Sequence, residues 1–438
     1  MAILALLLLA LPVGTATIVF FVCVFLVFCV RFAVVAWLGY VASFCMSGLG
    51  LQIGGVYFQP EMICLPLLLL AVRGTVRDDY ARSDKRHYLL LWTGVVLWLG
   101  ANLAASLLTA PQPVKSLRII ALVSCSVLAF ALLQRLKPGI AVRYLVGAAT
   151  LITVYGVVIL SAWAVAQASG RTNVLVVLNY GETVYRTKGL MIEPNLLGSL
   201  LALTMCALFF LREHVHRFVL ASSMAVMGAT AFLSFTRAAW VGMVVLLAVW
   251  AFTGHRAVLK TAGIVIASVF SLGIIGTVFT KAGQILGATF SDRVGGLLDF
   301  DSGTGAYRAR IWEVALSDYV HSPHFLLGLG TNSFSQRHAA QDSSSGEAYL
   351  GNFWIALLHD SGLIGAVGFL LIALAIVLRS RSVKAVPLYF TLVVTAFATN
   401  PMWFAFPWVC LALMLSVGRL PIERSDDGER RHGIAVAV

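Results

Sequence analysis

Arginine recurs at three places where apolar stretches of this chain give way to loops. The first is Tyr185-Arg186-Thr187-Lys188-Gly189, followed by Glu193-Pro194-Asn195-Leu196-Leu197-Gly198 at an expected helix start. The second is Ser234-Phe235-Thr236-Arg237-Ala238-Ala239-Trp240-Val241-Gly242, and the third is Tyr307-Arg308-Ala309-Arg310-Ile311-Trp312. A guanidinium is a planar fork of donors that grips phosphate oxygens in pairs and stays charged at any working pH. Several of them converging at a lipid–water boundary suit a phosphorylated or pyrophosphorylated lipid. Each cluster alone is weakly specific. The same arginines could hold phospholipid headgroups or pair with Glu182, Glu193 and Glu313.

Other side chains offer less. Asp299-Phe300-Asp301 has the Asp-x-Asp form that can hold a divalent ion on pyrophosphate, but an acidic loop flanked by Gly and Ser is the commoner origin, so no metal is assigned. The seven cysteines (Cys23, Cys29, Cys45, Cys64, Cys125, Cys206, Cys410) lie in apolar stretches, with no CxxC pair and no histidine at ligand spacing. They read as small apolar packers. Ser343-Ser344-Ser345-Gly346 is a flexible stretch, either a hinge that lets the loop close over substrate or a plain tether.

The elements that must position these residues are membrane helices. Of 438 residues, 60% are hydrophobic and only 11% charged, against roughly 25% charged in soluble domains. Spanning the hydrocarbon core takes about 20 apolar residues. Candidate helices run over 2–30, 33–47, 61–73, 88–109, 117–134, 141–168, 191–211, 218–236, 238–253, 258–280, 352–378, 386–399 and 403–417. The expected fold is an all-α, polytopic integral membrane helix bundle of about 12 to 14 crossings. Its parts are transmembrane helices over 1–280, a large extracytoplasmic loop over 281–350, C-terminal helices over 351–418, and a cytoplasmic tail over 419–438. The N-terminus lacks a basic region ahead of its apolar run, so a retained first span is expected there.

Charge sets the orientation. With Arg73 to His87 placed inside and every later span alternating, 20 of the 31 Lys and Arg fall inside and 11 outside, as the positive-inside rule asks. The +12 net charge therefore reflects membrane orientation and not nucleic-acid binding. His87, His214, His216 and His255 fall on the inner face. Residues 218–253 are too long for one span, and Arg237 is the only full charge among them. A charge at the bilayer centre costs about 2.5–3.5 kcal/mol or more, so a tight outer turn at Arg237 is expected. In the large loop, Tyr307, Ile311, Ala315 and Tyr319, flanked by Trp312, Leu316 and Val320, predict a surface helix over 304–320 that ends at His321-Ser322-Pro323.

The order of these motifs resembles the O-antigen ligase and polymerase superfamily. The resemblance rests on Ser234-x-x-Arg237-x-x-x-x-Gly242, Arg308-x-x-x-Trp312, Pro323-x-x-x-Leu327-Gly328-x-Gly330 and Asn352 leading to Gly362-Leu363-Ile364-Gly365. Arg186, Gly189 and Pro194-Asn195 are similar to a fourth element. The similarity covers roughly 185–370. It implies a GT-C-like, metal-independent glycosyltransferase without a cofactor, working at the outer face of the inner membrane. Its partners would be a polyprenyl-pyrophosphate-linked oligosaccharide donor, a glycan or glycolipid acceptor, and membrane lipids. Arg186, Arg237 and Arg308, with Arg310 and Lys188, would hold the pyrophosphate and stabilise it as it leaves. Asn195, Asn352, Gly328 and Gly330 would shape the site.

This chain departs from the family pattern at one place. The ligases carry a His-Asn pair where Gly351-Asn352 stands here, and that histidine is thought to be the base. Glu347, His338 and His359 are the candidate replacements, and a site with no dedicated base is the other possibility. A base must reach the acceptor hydroxyl, which favours Glu347 or His338 over the deeper His359. Absence of the ligase histidine leans the reading toward a polymerase. The competing class is a lipid-linked glycan flippase or transporter, which would place ionisable groups near the midplane; here the arginines map to the outer ends, with His359 and Asp360 the main exceptions.

Overall fold

A computed structural model describes residues 29, 31–53, 56–75, 85–178, 185–252, 303–338, 349–380 and 382–418. The expected spans over 2–30 and 258–280, the Asp299–Asp301 motif, Glu182, Glu347, the serine run at 343–345 and the tail from Arg419 lie outside them.

The described residues form an all-α membrane bundle. In chain order the helices are α1 (Ala33–Cys45), α2 (Pro60–Ile63), α3 (Leu65–Val72), α4 (Lys85–Leu108), α5 (Pro113–Leu133), α6 (Pro138–Ser169), α7 (Pro194–Phe210), α8 (Arg217–Leu233), α9 (Arg237–Phe252), α10 (Gly303–Val320), α11 (Ser333–Arg337), α12 (Phe353–Arg379), α13 (Val386–Thr395) and α14 (Ala405–Val417). Among them α4, α5, α6 and α12 are each long and apolar enough to cross a membrane, and six shorter apolar helices accompany them. Proline opens α5, α6 and α7, where its missing N–H is not needed. Gly170 closes α6 in the left-handed conformation that a glycine adopts without strain.

Backbones approach closely where small residues meet. A Cβ added at Gly94 of α4 would stand 2.5 Å from the Gly368 oxygen of α12, which is how membrane helices pack without a hydrophobic drive between them. Beside that contact, Trp98 packs against Trp408, Phe353 and Phe369.

Four features shape one end of the bundle. Two antiparallel hairpins, β1 (Leu51–Ile53) with β2 (Val56–Phe58) and β3 (Val176–Leu178) with β4 (Tyr185–Thr187), interrupt the helices. Their strands are three residues each, too short to give a period-2 signal in the sequence. The turn expected before Arg237 is present: α8 stops at Leu233 and α9 starts at Arg237, with Phe235 in the left-handed region between them. The surface helix expected over 304–320 is α10, which packs on α12. Its buried stripe is narrower than its apolar residues suggest. Ile311 and Ala315 join Phe334, Leu350 and Ala356, whereas Tyr307, Leu316 and Val320 remain exposed.

The fourth feature is a break inside α12. Gly362 has φ +60 and ψ −164, which frees backbone groups that the bilayer cannot satisfy. The loop after α10 satisfies them. Leu363 and Ile364 donate to the Phe325 and Leu326 oxygens at 3.1 and 3.0 Å, while Leu329 and Gly330 donate to the His359 and Asp360 oxygens at 2.8 and 3.0 Å. Gly328 and Gly330 both take positive φ there, which the two motif glycines permit.

Candidate active site

Glu193 is the centre around which two of the three arginine motifs meet. It precedes α7 with extended backbone and does not cap that helix with its side chain. Its carboxylate accepts instead from the hydroxyl of Thr399, a fully buried residue in the turn after α13. Asn195 holds that turn from the other side, with its amide 3.5 Å from the Ala398 oxygen. Asn400 donates to Leu350 at 3.1 Å. The starts of α7 and α12 and the end of α13 are thereby fixed together.

Arg186 and Arg308 both lie near enough to Glu193 to favour its ionised form. Arg186 sits on β4, opposite Val177, and its Nε donates to the Ser234 oxygen at 3.0 Å. Next to it, Thr187 donates to the Thr230 oxygen at 3.0 Å. Arg308 is half-buried on the first turns of α10. Burial dominates at Glu193 and holds its carboxyl above the ordinary value of 4.5, with Thr399, Arg308 and Arg186 pulling the other way. The Tyr349 hydroxyl is likewise pushed up, by lost hydration first and by Glu193 second.

The Arg237 motif reaches the same place through the hydroxyls that precede the arginine. Thr236 donates to the Pro194 oxygen at 3.1 Å, and the Ser234 and Thr236 hydroxyls lie 2.9 Å apart. A Cβ on Gly198 would stand 2.7 Å from the Thr236 Cβ, so glycine lets α7 press against the turn. Arg237, half-buried, opens α9 directly after it.

The remaining expected site residues divide. Lys188 is half-buried beside the hairpin, with its main-chain N–H on the Leu175 oxygen at 2.9 Å. Arg310 is exposed on α10. Asn352 caps α12, accepting from Trp354 and Ile355 at 3.0 and 3.2 Å. His338 pairs with Asp318 at 2.6 Å, on the rim of a cavity of about 490 Å³ that Thr109, His324 and Arg337 also line. Asp318 is ten residues along α10 from Arg308, about 15 Å at 1.5 Å per residue, so the structure does not bring His338 to the arginines. His359 is fully buried inside α12, 3.0 Å from its neighbour Asp360. Asp360 in turn accepts from the Asn332 N–H at 2.8 Å.

Sequence reasoning named Glu193 only as a possible arginine partner and did not single out Tyr349 or Thr399. An acid just before Pro-Asn at a helix start, between two arginine motifs, was the available signal for Glu193. Thr399 had none, because 206 residues separate it from its partner.

Fold and composition define a multi-pass helical membrane protein. Residues 222–370, about a third of the chain, are similar to the family model described as O-antigen ligase. That likeness points, at a coarse level, to glycosyl transfer involving a lipid-linked glycan and a glycan acceptor. The match includes Arg237, Arg308, Gly328, Gly330, Asn352 and His359, and it leaves out Arg186, Lys188, Glu193 and Asn195. No curated protein matches the chain.

Proposed function

We propose that this chain is a membrane glycosyltransferase that moves a glycan from a polyprenyl-pyrophosphate donor to a glycan or glycolipid acceptor. It works at the outer face of the cytoplasmic membrane, as an O-antigen or exopolysaccharide polymerase or ligase. The observation that carries this reading is the meeting of Arg186 and Arg308 at Glu193, beside the turn that leads into Arg237.

The chemistry follows from that arrangement. The acceptor hydroxyl attacks the anomeric carbon of the lipid-linked sugar, and the pyrophosphate leaves with the bonding electron pair. Negative charge builds on the leaving oxygen, where fixed guanidinium groups lower the barrier most. Arg186, Arg237 and Arg308 hold the pyrophosphate, with Lys188 and Arg310 at its margin. Gly351, in the place of the ligase histidine, favours polymerisation over ligation.

Arg237→Ala and Arg308→Ala are expected to abolish glycan transfer while the protein stays in the membrane at wild-type level. Wild-type transfer by both variants overturns the reading. Purified protein that joins glycans in detergent, with no gradient to use, separates it from a flippase or transporter.

A further inference from the structure

The acceptor hydroxyl must give up a proton, and the family position for the residue that takes it is Gly351 here. The ring of Tyr349 borders the space beside Gly351. A Cβ added at 351 would stand 3.4 Å from Cε1 of Tyr349 and 3.5 Å from Cδ1. The Tyr349 hydroxyl reaches the Thr399 side chain and the Asn400 main chain, and it senses Glu193 and Arg308. Tyr349 thus spans from the vacated position to the Glu193 carboxylate.

The described histidines near this end are committed elsewhere. His359 is buried within α12 against Asp360, and His338 is held by Asp318 at the far end of α10. Among the described residues, Glu193 is the carboxylate that lies with Arg186 and Arg308, and Thr399 fixes one of its oxygens.

We propose that Glu193 takes the proton of the acceptor hydroxyl in this chain, with Tyr349 bordering the position of the missing histidine. This rests on the glycosyltransferase reading above. As the acceptor oxygen bonds to the anomeric carbon, its proton passes to the Glu193 carboxylate. The bond from the anomeric carbon to the pyrophosphate oxygen breaks, and its electron pair leaves on the pyrophosphate. The proton is later released to solvent.

The neighbours of Glu193 time this transfer. Without donor, Arg186 on β4 and Arg308 on α10 favour the ionised carboxylate, while Tyr349 and Thr399 bring no charge of their own. As the bond to the anomeric carbon breaks, negative charge grows on the pyrophosphate and draws on the same two guanidiniums, so Glu193 gains proton affinity as the acceptor proton is released.

Two measurements on the full-length purified chain test this. In the first, calorimetry with inorganic pyrophosphate compares wild type with Glu193→Gln. The variant removes a negative charge and leaves the arginines in place, so it is expected to bind at least as tightly as wild type, and lost binding overturns the proposal by placing Glu193 in the phosphate site. In the second, transfer is followed with the lipid-linked oligosaccharide that accumulates in cells lacking the gene. Glu193→Gln, which keeps an oxygen for Thr399, is expected to lose about 100-fold or more in rate with an unchanged melting curve. Glu193→Asp should retain part of the rate with a displaced pH profile, and added formate should partly rescue Glu193→Ala. A Glu193→Gln enzyme at wild-type rate and pH profile overturns the base and leaves the glycosyltransferase standing. Wild-type protein that neither transfers this lipid's glycan nor binds pyrophosphate overturns both.

Discussion

Arg186 reaches across 48 residues to place its Nε–H on the main-chain oxygen of Ser234 at 3.0 Å. This bond ties the β3–β4 hairpin to the α8–α9 turn, and so sets one arginine motif against another. Arg186→Lys keeps the charge but loses the fork that serves the carbonyl and a phosphate together. Transfer is expected to fall about 100-fold, as when one donor to a developing anion is removed. A rate within threefold of wild type in a purified assay excludes a role for this geometry.

Burial raises the Glu193 carboxyl above its ordinary value of 4.5, and stability follows with a definite sign. Between the unfolded and folded values the native state binds more protons than the unfolded chain, so its stability falls as pH rises. The gain is complete below about 4.5 and lost once pH passes the folded value. Thermal unfolding in detergent should show wild type losing stability relative to Glu193→Gln as pH is raised through that window. Parallel curves for the two proteins would contradict the assignment.

Gly328 and Gly362 face one another so closely that a Cβ on either would stand 2.5 Å from the backbone nitrogen of the other. Both have positive φ. Alanine at 328 or 362 meets a left-handed backbone, costing about 1–3 kcal/mol, and a clash that only movement of the loop relieves. Each single variant should lower the melting temperature clearly, and the pair should cost less than the sum because they share one contact. Strict additivity would place the glycines in separate structures.

Asp360 links His359 to the Asn332 N–H. Asp360→Ala leaves both donors buried without that partner, at about 1–3 kcal/mol for each group left unsatisfied. The loss should appear in melting and in proteolysis of the loop after α10. His359→Gln should lower stability while the surviving protein keeps its pH profile. A profile shifted in step with that substitution would return His359 to the chemistry.

Lys384, half-buried, and Glu213, exposed, form an ion pair of 2.6 Å, away from the arginine motifs. Such pairs contribute about 0–1 kcal/mol and weaken with salt. Lys384→Met should change neither transfer nor melting measurably, and it serves as a charge-removing control for the arginine variants.

Because a bilayer demands long apolar runs wherever the chain crosses, hydropathy located the long apolar helices among the described residues, though not the short helix α11 (Ser333–Arg337). The cost of a buried charge fixed the turn before Arg237 in the same way. The arginine motifs and the helix α10 were likewise legible from residue type and local spacing. What the sequence could not supply was partnership over distance. Thr399 meets Glu193 from 206 residues away, and the loop at 325–330 mends a helix broken at Gly362. Hydrogen bonds between segments carry no periodic signature, and hairpins of three-residue strands leave almost none. Only the packed bundle could therefore decide that Glu193 stands among the arginines, that Tyr349 borders the position of Gly351, and that His338 and His359 lie elsewhere.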